Sequence, residues 1–202
     1  RGHAKPPGAG GGKGGGNGGS TCFAFLANGA KWKTIEPWIV NTANTEGLSA
    51  SFVFTNLGAS IQKWEDAAGV NILGDGNTTA AALVADTASP DGQNEVYFGD
   101  VDNPGAIAVT IVWGIFAGPP SQRQLVEWDQ VYDQVDYDWS ATGEAGKMDF
   151  ENINSHELGH SKGMGHPDDS CIEETMYRFA ATGETKKRTL NAGDIAGIQA
   201  LY

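Results

Sequence analysis

The sequence predicts an α/β domain in which helices pack on a β-sheet. Its 202 residues are enough for one domain that buries a real core. Strand-like and helix-like patterns follow one another in the order strand, helix, strands, helix, helix, with no internal repeat. This order is typical of a sheet whose strands are connected through helices.

The first strand-like run and the first helix lie between residues 31 and 69. Residues 31–41 are apolar and β-branched around Pro37, and a proline within a strand predicts an edge position or a bulge because it cannot donate a ladder hydrogen bond. Residues 48–68 repeat apolar side chains near helical spacing, and Gly69 follows as a stop signal. We interpret the aromatic residues of this helix as core.

Three further strands and two further helices are predicted. The strands cover residues 95–98, 106–113 and 125–132, with a DVDNPG turn between the first two. One helix covers residues 148–162. The last helix begins at Asn191, which forms a cap pair with Asp194 three positions later.

Composition limits the environment of the chain. Residues 1–20 are dominated by glycine and predict a flexible tail or linker, so the folded domain is expected to cover residues 21–202. The net charge of −12 disfavours nucleic acid and anionic membranes as partners. No apolar run approaches the ~18 residues of a spanning helix. The chain begins at Arg1, without a signal peptide, which we interpret as a processed or trimmed form of a secreted protein.

A metal-binding pattern stands at residues 156–166, which read H-E-x-x-H-x-x-G-x-x-H. His156 and His160 are four residues apart and therefore share one helix face. Gly163 can turn the chain out of the helix, so that His166 arrives as a third ligand and the fourth position of a zinc ion stays open. Glu157 is free to act as general base. The alternative, two solvated helical histidines, does not account for the glycine and the third histidine.

The other two chemically informative groups are cysteines and acidic clusters. Cys22 and Cys171 predict one disulfide in a secreted protein; two free thiols, or a latency thiolate of Cys22 on the metal, are the alternatives.

Hard oxygen ligands in loops are candidates for calcium, although such residues are also common in turns for local reasons. These ligands are Asp75 with Asn77, Asp100 with Asp102 and Asn103, and Asp133 with Asp136 and Asp138.

These motifs together resemble the metzincin zinc endopeptidases and, among them, the matrixins. After the zinc motif, the most specific piece is ETMY at residues 174–177, which is similar to the Met-turn beneath the zinc, with Met176 as its floor. LNAGDIAGIQALY at residues 190–202 resembles the last matrixin helix. DNPG at residues 102–105 with the following strand resembles the loop and edge strand that pair with substrate, and DYDW at residues 136–139 resembles the acidic stretch before the active-site helix.

The resemblance implies a zincin-like catalytic domain with a twisted, mostly parallel five-stranded sheet, one antiparallel edge strand and three helices. Substrate would lie extended along the edge strand. It further implies that His156, His160 and His166 bind the catalytic zinc, that Glu157 activates water, and that calcium has a structural role.

The departures from the family pattern carry predictions of their own. Thr110 stands where matrixins keep a histidine of a second, structural zinc, and Tyr132 replaces another, so we expect that zinc to be absent. Pro167 follows the third histidine, as in serralysins. Arg178 replaces the extra tyrosine ligand of serralysins and astacins. Gly193 replaces an aspartate that in matrixins can bind the mature N-terminal amine.

The sequence therefore predicts a secreted, monomeric zinc endopeptidase that acts on extended protein and peptide substrates. Two other functions fit parts of the pattern. A binding module that keeps the fold without turnover would have no chemical reason to retain Glu157 beside three intact ligands. Zinc-dependent hydrolysis of a non-peptide substrate would leave the similarity of the substrate strand and the Met-turn unexplained.

Overall fold

The structure is a computed structural model that describes residues 21–202. The predicted tail at residues 1–20 lies outside the described residues. In chain order the strands are β1 (Ala24–Phe25), β2 (Trp38–Val40), β3 (Gly76–Thr78), β4 (Asn94–Gly99), β5 (Ala108–Ile115), β6 (Gln124–Asp133), β7 (Trp139–Ser140), β8 (Met148–Asp149) and β9 (Met164–Gly165), and the helices are α1 (Ala50–Ala68), α2 (Phe150–Ser161) and α3 (Ala192–Leu201).

The main sheet has five strands in the order β3-β2-β4-β6-β5. All neighbours are parallel except β5, which runs antiparallel to β6 at the edge. The predicted mixed sheet with one antiparallel edge strand and three helices is therefore confirmed. The edge strand β5 packs against α2, which is the helix of the histidine motif.

Local capping explains where the helices begin and end. Ser49 caps α1 by accepting the Phe52 N–H at 3.2 Å, and Gly69 ends it in the left-handed conformation. Asp149 caps α2 by accepting the Asn152 N–H at 2.9 Å. Asp194 accepts the Asn191 N–H at 2.9 Å, which confirms the predicted cap pair of α3.

Large aromatic side chains hold α1 and α2 to the inner face of the sheet. Trp64 of α1 is fully buried and its Nε1–H donates to the Ser155 carbonyl of α2 at 2.9 Å. Phe150, at the start of α2, packs against Tyr132 of β6 and Phe98 of β4, with ring centroids 5.0 and 5.6 Å apart. This packing fixes the distance of α2 from the sheet.

Two predictions about elements need correction. The strand within residues 31–41 is limited to β2, and it lies inside the sheet between β3 and β4, so the edge position suggested by Pro37 is wrong. Pro37 precedes the strand and needs no ladder donor, and its carbonyl accepts the Asn94 side chain at 2.7 Å. The predicted helix 148–162 begins later, because Met148 and Asp149 form β8 with β7.

No helix within residues 21–202 combines the length and the apolar composition needed to cross a membrane.

Candidate metal centre and active site

Helix α2 places two histidines and a glutamate in the buried interior. His156 and His160 lie one turn apart, and Glu157 is 6% exposed between them. The helix then ends, and Gly163 adopts a φ of +96°, a conformation that other residues rarely adopt. The chain continues into β9 and returns His166 to the same place, as the sequence predicts.

The three imidazoles meet at one point. Their Nε2 atoms are separated by 3.1 Å (His156 to His166), 3.2 Å (His156 to His160) and 3.1 Å (His160 to His166). Nitrogens bound to a tetrahedral zinc at ~2.0–2.1 Å would be separated by about 3.3–3.4 Å. The histidines present therefore fit a zinc ion, and they are one of two groups in residues 21–202 whose side chains could hold a metal.

Backbone carbonyls fix the orientation of two of these rings. His156 Nδ1 lies 2.7 Å from the Thr175 carbonyl, and His160 Nδ1 lies 2.9 Å from the Met164 carbonyl. A proton on Nδ1 leaves the Nε2 lone pair for a metal. Burial, followed by the neighbouring positive groups, holds the pKa of His156 well below its usual range. The ring is thus kept in the neutral form that ligation needs.

The carboxylate of Glu157 is hydrogen-bonded to a side chain of the edge strand. The Thr110 hydroxyl, on the edge strand β5, donates to Glu157 Oε2 at 2.6 Å. Burial raises the pKa of Glu157 to about 7, while the Thr110 hydrogen bond and the charge of Lys187 act in the opposite direction. A carboxylate with a pKa near neutrality is suited to accept and return a proton.

Comparison with known proteins decides the family. A family model described as Matrixin matches residues 36–202, most of the chain. The chain belongs to the matrixin family. Segments of it are also 38% identical to Matrilysin of Rattus norvegicus over 74 residues (37% of this chain and 26% of the relative) and 36% identical to Metalloendoproteinase 2-MMP of Arabidopsis thaliana over 88 residues (42% and 21%). The matched segments cover about a quarter or less of these relatives' own lengths.

In this matrixin the predicted Met-turn lies directly beneath α2. Met176 is buried, and its sulfur packs so closely on Gly159 that a Cβ there would lie 2.2 Å from it. Asp194 of α3 holds the turn by accepting the N–H groups of Thr175 at 2.7 Å and Met176 at 3.0 Å. Because the Thr175 carbonyl orients His156, the last helix is connected to this candidate ligand through two hydrogen bonds.

The predicted disulfide is present and joins Cys22 to Cys171, with Cα atoms 5.6 Å apart. The alternatives of free thiols and of a latency thiolate on the metal are therefore wrong. Next to the disulfide, β1 pairs with β9, and the Leu26 N–H donates to the Gly163 carbonyl at 2.9 Å. Residues 22–26 thus stabilise the turn that leads the chain to His166.

Gly193, which replaces an aspartate of the matrixin pattern, packs against the backbone of the disulfide-linked residue Cys22. A Cβ at position 193 would lie 2.2 Å from the Cys22 carbonyl oxygen. The backbone of the disulfide-linked segment occupies the space that a side chain at this position would need. Glu174 completes the contact by accepting the Gly193 N–H at 3.0 Å.

Thr110 and Tyr132 lie on the inner face of the sheet. Thr110 reaches Glu157, and the buried Tyr132 hydroxyl lies within hydrogen-bond distance of two side-chain oxygens, Gln130 Oε1 at 3.1 Å and Asn154 Oδ1 at 3.2 Å. The outer face beside them carries an apolar cluster of Val101, Val109 and Val131. The absence of a structural zinc in this chain stays a prediction.

The residues predicted for calcium are not brought into a compact group. Asp133 is buried, but its carboxylate accepts the N–H groups of Val135 at 2.8 Å and Asp136 at 2.9 Å, a local turn. The other members of these clusters are exposed, namely Asp75, Asp100, Asp102, Asp136 and Asp138. Calcium at these loops stays a prediction.

The sequence did not point to Lys187, whose side chain contacts the same Thr175 carbonyl as the candidate ligand His156. It is almost completely buried, and its Nζ donates to the carbonyls of Thr175 and Tyr177. Burial lowers the pKa of Lys187 to about 8. No motif marks this residue, because its position depends on how the chain after the Met-turn folds back on α2.

Proposed function

We propose that this matrixin is a zinc-dependent endopeptidase. The observation that carries the proposal is the meeting of three imidazoles and one buried carboxylate within a single helix and the chain that follows it. His156, His160 and His166 would hold the zinc. When bound, zinc supplies a Lewis acid that polarises a carbonyl group and lowers the pKa of a water to about 7.

The chain's own part in the reaction is proton transfer. Glu157 takes a proton from the attacking water and returns it to the nitrogen of the leaving amine. Thr110 orients the carboxylate through its hydroxyl and stabilises the ionised form. Met176 and the Thr175 carbonyl keep the ligands in place and touch no reacting atom.

The substrate is proposed to be an extended peptide that adds to β5. This strand is at the edge of the sheet, and only β6 pairs with it within residues 21–202. Main-chain hydrogen bonds from a free edge hold a peptide regardless of its sequence, and side-chain pockets then select it. Because Thr110 belongs to β5 and contacts Glu157, such a peptide would pass close to the general base.

The disulfide and the net charge support a proposal about where the protein acts and what it binds. A disulfide suits secretion into an oxidising compartment. We further propose one catalytic zinc without a structural zinc, calcium as a stabilising ion, and a monomer whose partners are protein or peptide substrates and not nucleic acid or membranes. The acidic net charge of −12 supports the last point.

The deciding experiment replaces Glu157 with alanine and uses the exposed Glu173→Gln as control. We expect Glu157→Ala to retain one zinc per chain in elemental analysis and to lose casein and peptide cleavage by at least about 100-fold, in line with general acid–base contributions. The control should cleave like the unaltered protein, and 1,10-phenanthroline should stop it. Cleavage that persists in Glu157→Ala would refute the assigned role. Zinc binding by the unaltered protein without cleavage of a broad peptide library would favour a binding module.

A further inference from the structure

Lys187 is a buried cation that binds the carbonyl groups of the Met-turn. The residue is 1% exposed. Its Nζ donates to the Thr175 carbonyl at 3.1 Å and to the Tyr177 carbonyl, so the two residues on either side of Met176 share one ammonium group. The ring of Tyr177 also faces this group, with its centroid 5.4 Å from Nζ. Carbonyl oxygens and an aromatic face thus replace the water that a buried charge loses.

The peptide group between Thr175 and Met176 is held at both ends by charged side chains. Its N–H, that of Met176, donates to the carboxylate of Asp194 at 3.0 Å. Its carbonyl, that of Thr175, accepts from the ammonium group of Lys187. An anion at the N–H and a cation at the carbonyl both agree with the direction of the peptide dipole. The two side chains therefore stabilise the same orientation of this peptide group.

The same carbonyl orients a candidate metal ligand. His156 Nδ1 lies 2.7 Å from the Thr175 carbonyl oxygen, and a carbonyl can only accept, so Nδ1 carries the proton. The oxygen has two lone pairs and can accept from His156 and Lys187 together. Hydrogen-bonded groups polarise one another, and an ammonium group draws electron density from the oxygen that it binds. The oxygen is therefore a weaker acceptor for the imidazole than it would be without Lys187.

The backbone of Lys187 is fixed independently of its ammonium group. Its N–H donates to Asn152 Oδ1 of α2 at 2.7 Å, and its carbonyl accepts from the Thr175 hydroxyl at 3.2 Å. None of the Lys and Arg ion pairs within residues 21–202 includes Lys187. Burial lowers its pKa to about 8, which leaves the ammonium form in the majority at neutral pH. No carboxylate in contact with the ammonium group thus neutralises its charge beside the Met-turn.

We propose that Lys187 is a positioning residue whose positive charge makes His156 a weaker ligand, so that a bound zinc ion is held less tightly and remains a stronger Lewis acid. The inference rests on the proposed zinc-dependent function of the site. An anionic partner of a ligating imidazole raises the basicity of the ligand and its affinity for the metal. A cation on the same carbonyl acts in the opposite direction, through polarisation and through repulsion of a positive ion. Asp194 and Lys187 therefore have opposite effects on one imidazole.

The test compares the unaltered protein with three variants. Lys187→Met removes the charge and the donor with a side chain of similar length. Lys187→Gln removes the charge and keeps an N–H donor, on a side chain that is shorter by one bond. Lys186→Met makes the same change of charge at the preceding residue, whose Nζ lies 5.6 Å from the centroid of the Tyr177 ring, and serves as the matched control.

Zinc affinity is measured by chelator competition, and the proton on His156 Nδ1 is observed by NMR in the zinc-free protein. Both Lys187 variants should bind zinc about tenfold more tightly than the unaltered protein, within the range over which partners of ligating histidines act. The Nδ1 proton signal should move to lower field, because the carbonyl becomes a stronger acceptor. In peptide cleavage kcat should fall while KM stays nearly unchanged, because Lys187 contacts no substrate. Lys186→Met should match the unaltered protein in all three measurements.

Weaker zinc binding by Lys187→Met would indicate a structural support only and would overturn the proposal. Unaltered zinc affinity in Lys187→Gln would also overturn it, because a hydrogen bond without charge would then be sufficient. An equal gain of affinity in Lys186→Met would show a general effect of net charge and not of this contact.

Circular dichroism and Tm report whether the variants fold. If Lys187→Met does not fold, Lys187→Gln decides the sign of the change in zinc affinity, and if neither folds, the residue is structural and the proposal is wrong. Zinc affinity and the Nδ1 signal are measured without turnover. A protein that binds zinc but cleaves no peptide would therefore contradict the proposed peptidase function without deciding the role of Lys187, which these two readouts decide by themselves.

Discussion

Replacing Thr110 with valine should reduce catalysis without disturbing the metal. Valine keeps the shape of threonine and removes the hydroxyl that donates to Glu157 Oε2 at 2.6 Å. A hydrogen bond to a charged group contributes a net 1.5–3 kcal/mol, and about 1.4 kcal/mol corresponds to a factor of ten. We take the lower end, because Lys187 still favours the ionised carboxylate. The expected effect is about a tenfold decrease in kcat/KM near pH 7.

The sign of the pH effect is also determined. Burial already raises the pKa of Glu157 to about 7, and the lost hydrogen bond stabilised the ionised form, so the pKa should rise further. The base must be ionised to accept a proton. The acid limb of kcat/KM should therefore move about one pH unit upward in Thr110→Val, and activity should recover toward that of the unaltered protein at alkaline pH.

The assay is cleavage of a quenched fluorescent peptide between pH 5 and 9, with zinc content measured in parallel. Thr110→Ser retains the hydroxyl and should keep the original pH profile. A Thr110→Val enzyme with an unshifted acid limb would refute the assigned contact. Loss of zinc from the variant would show that Thr110 supports the fold of the site rather than the base.

Two further changes test the supports of the metal ligands. Replacing Cys22 and Cys171 together with serine opens a loop with a sequence separation of 149 residues, which should lower the free energy of unfolding by about 5 kcal/mol in urea titrations; a loss below about 1 kcal/mol would contradict a structural role. Asp194→Asn removes the charge that accepts the Thr175 and Met176 N–H groups, and should cost about 2–3 kcal/mol of stability and 10- to 100-fold in zinc affinity measured by chelator competition. Unchanged zinc affinity would contradict the inferred connection between α3 and the metal site.

Much of the site could be predicted because its information is local. His156 and His160 share a helix face through their spacing alone, and Glu157 directly follows the first of them. The glycine that turns the chain toward His166 is only three residues beyond His160. The cap of α3 is likewise contained within four residues. The Cys22–Cys171 disulfide joins residues that are distant in sequence, but it could be predicted because the chain has only two cysteines.

The features that could not be predicted depend on how strands and loops that are distant in sequence are aligned in the fold. The Thr110 hydroxyl reaches Glu157 only because β5 pairs with β6 in the observed register and presents residue 110 to α2. The short strand β3 has no alternating apolar pattern, so its pairing with β2 was not predicted. Asp86 and Asp129 are 43 residues apart, and no spacing rule relates them. The predicted calcium clusters were chosen because their acidic residues are close in sequence. The compact acidic group of Asp86, Glu127 and Asp129 is instead assembled from a loop and a strand.

The carbonyls that hold the imidazole rings also bear on metal exchange. Thr175 and Met164 lie in segments fixed by α3 and by β1, so the rings of His156 and His160 are oriented by folding alone. The entropy of ordering these two ligands is lost when the chain folds and not when the ion arrives. Uptake then needs little rearrangement of the backbone. An ion of larger radius would have to spread the nitrogens against a helix, a turn and a disulfide-linked strand at once, so the site should discriminate between metals by size.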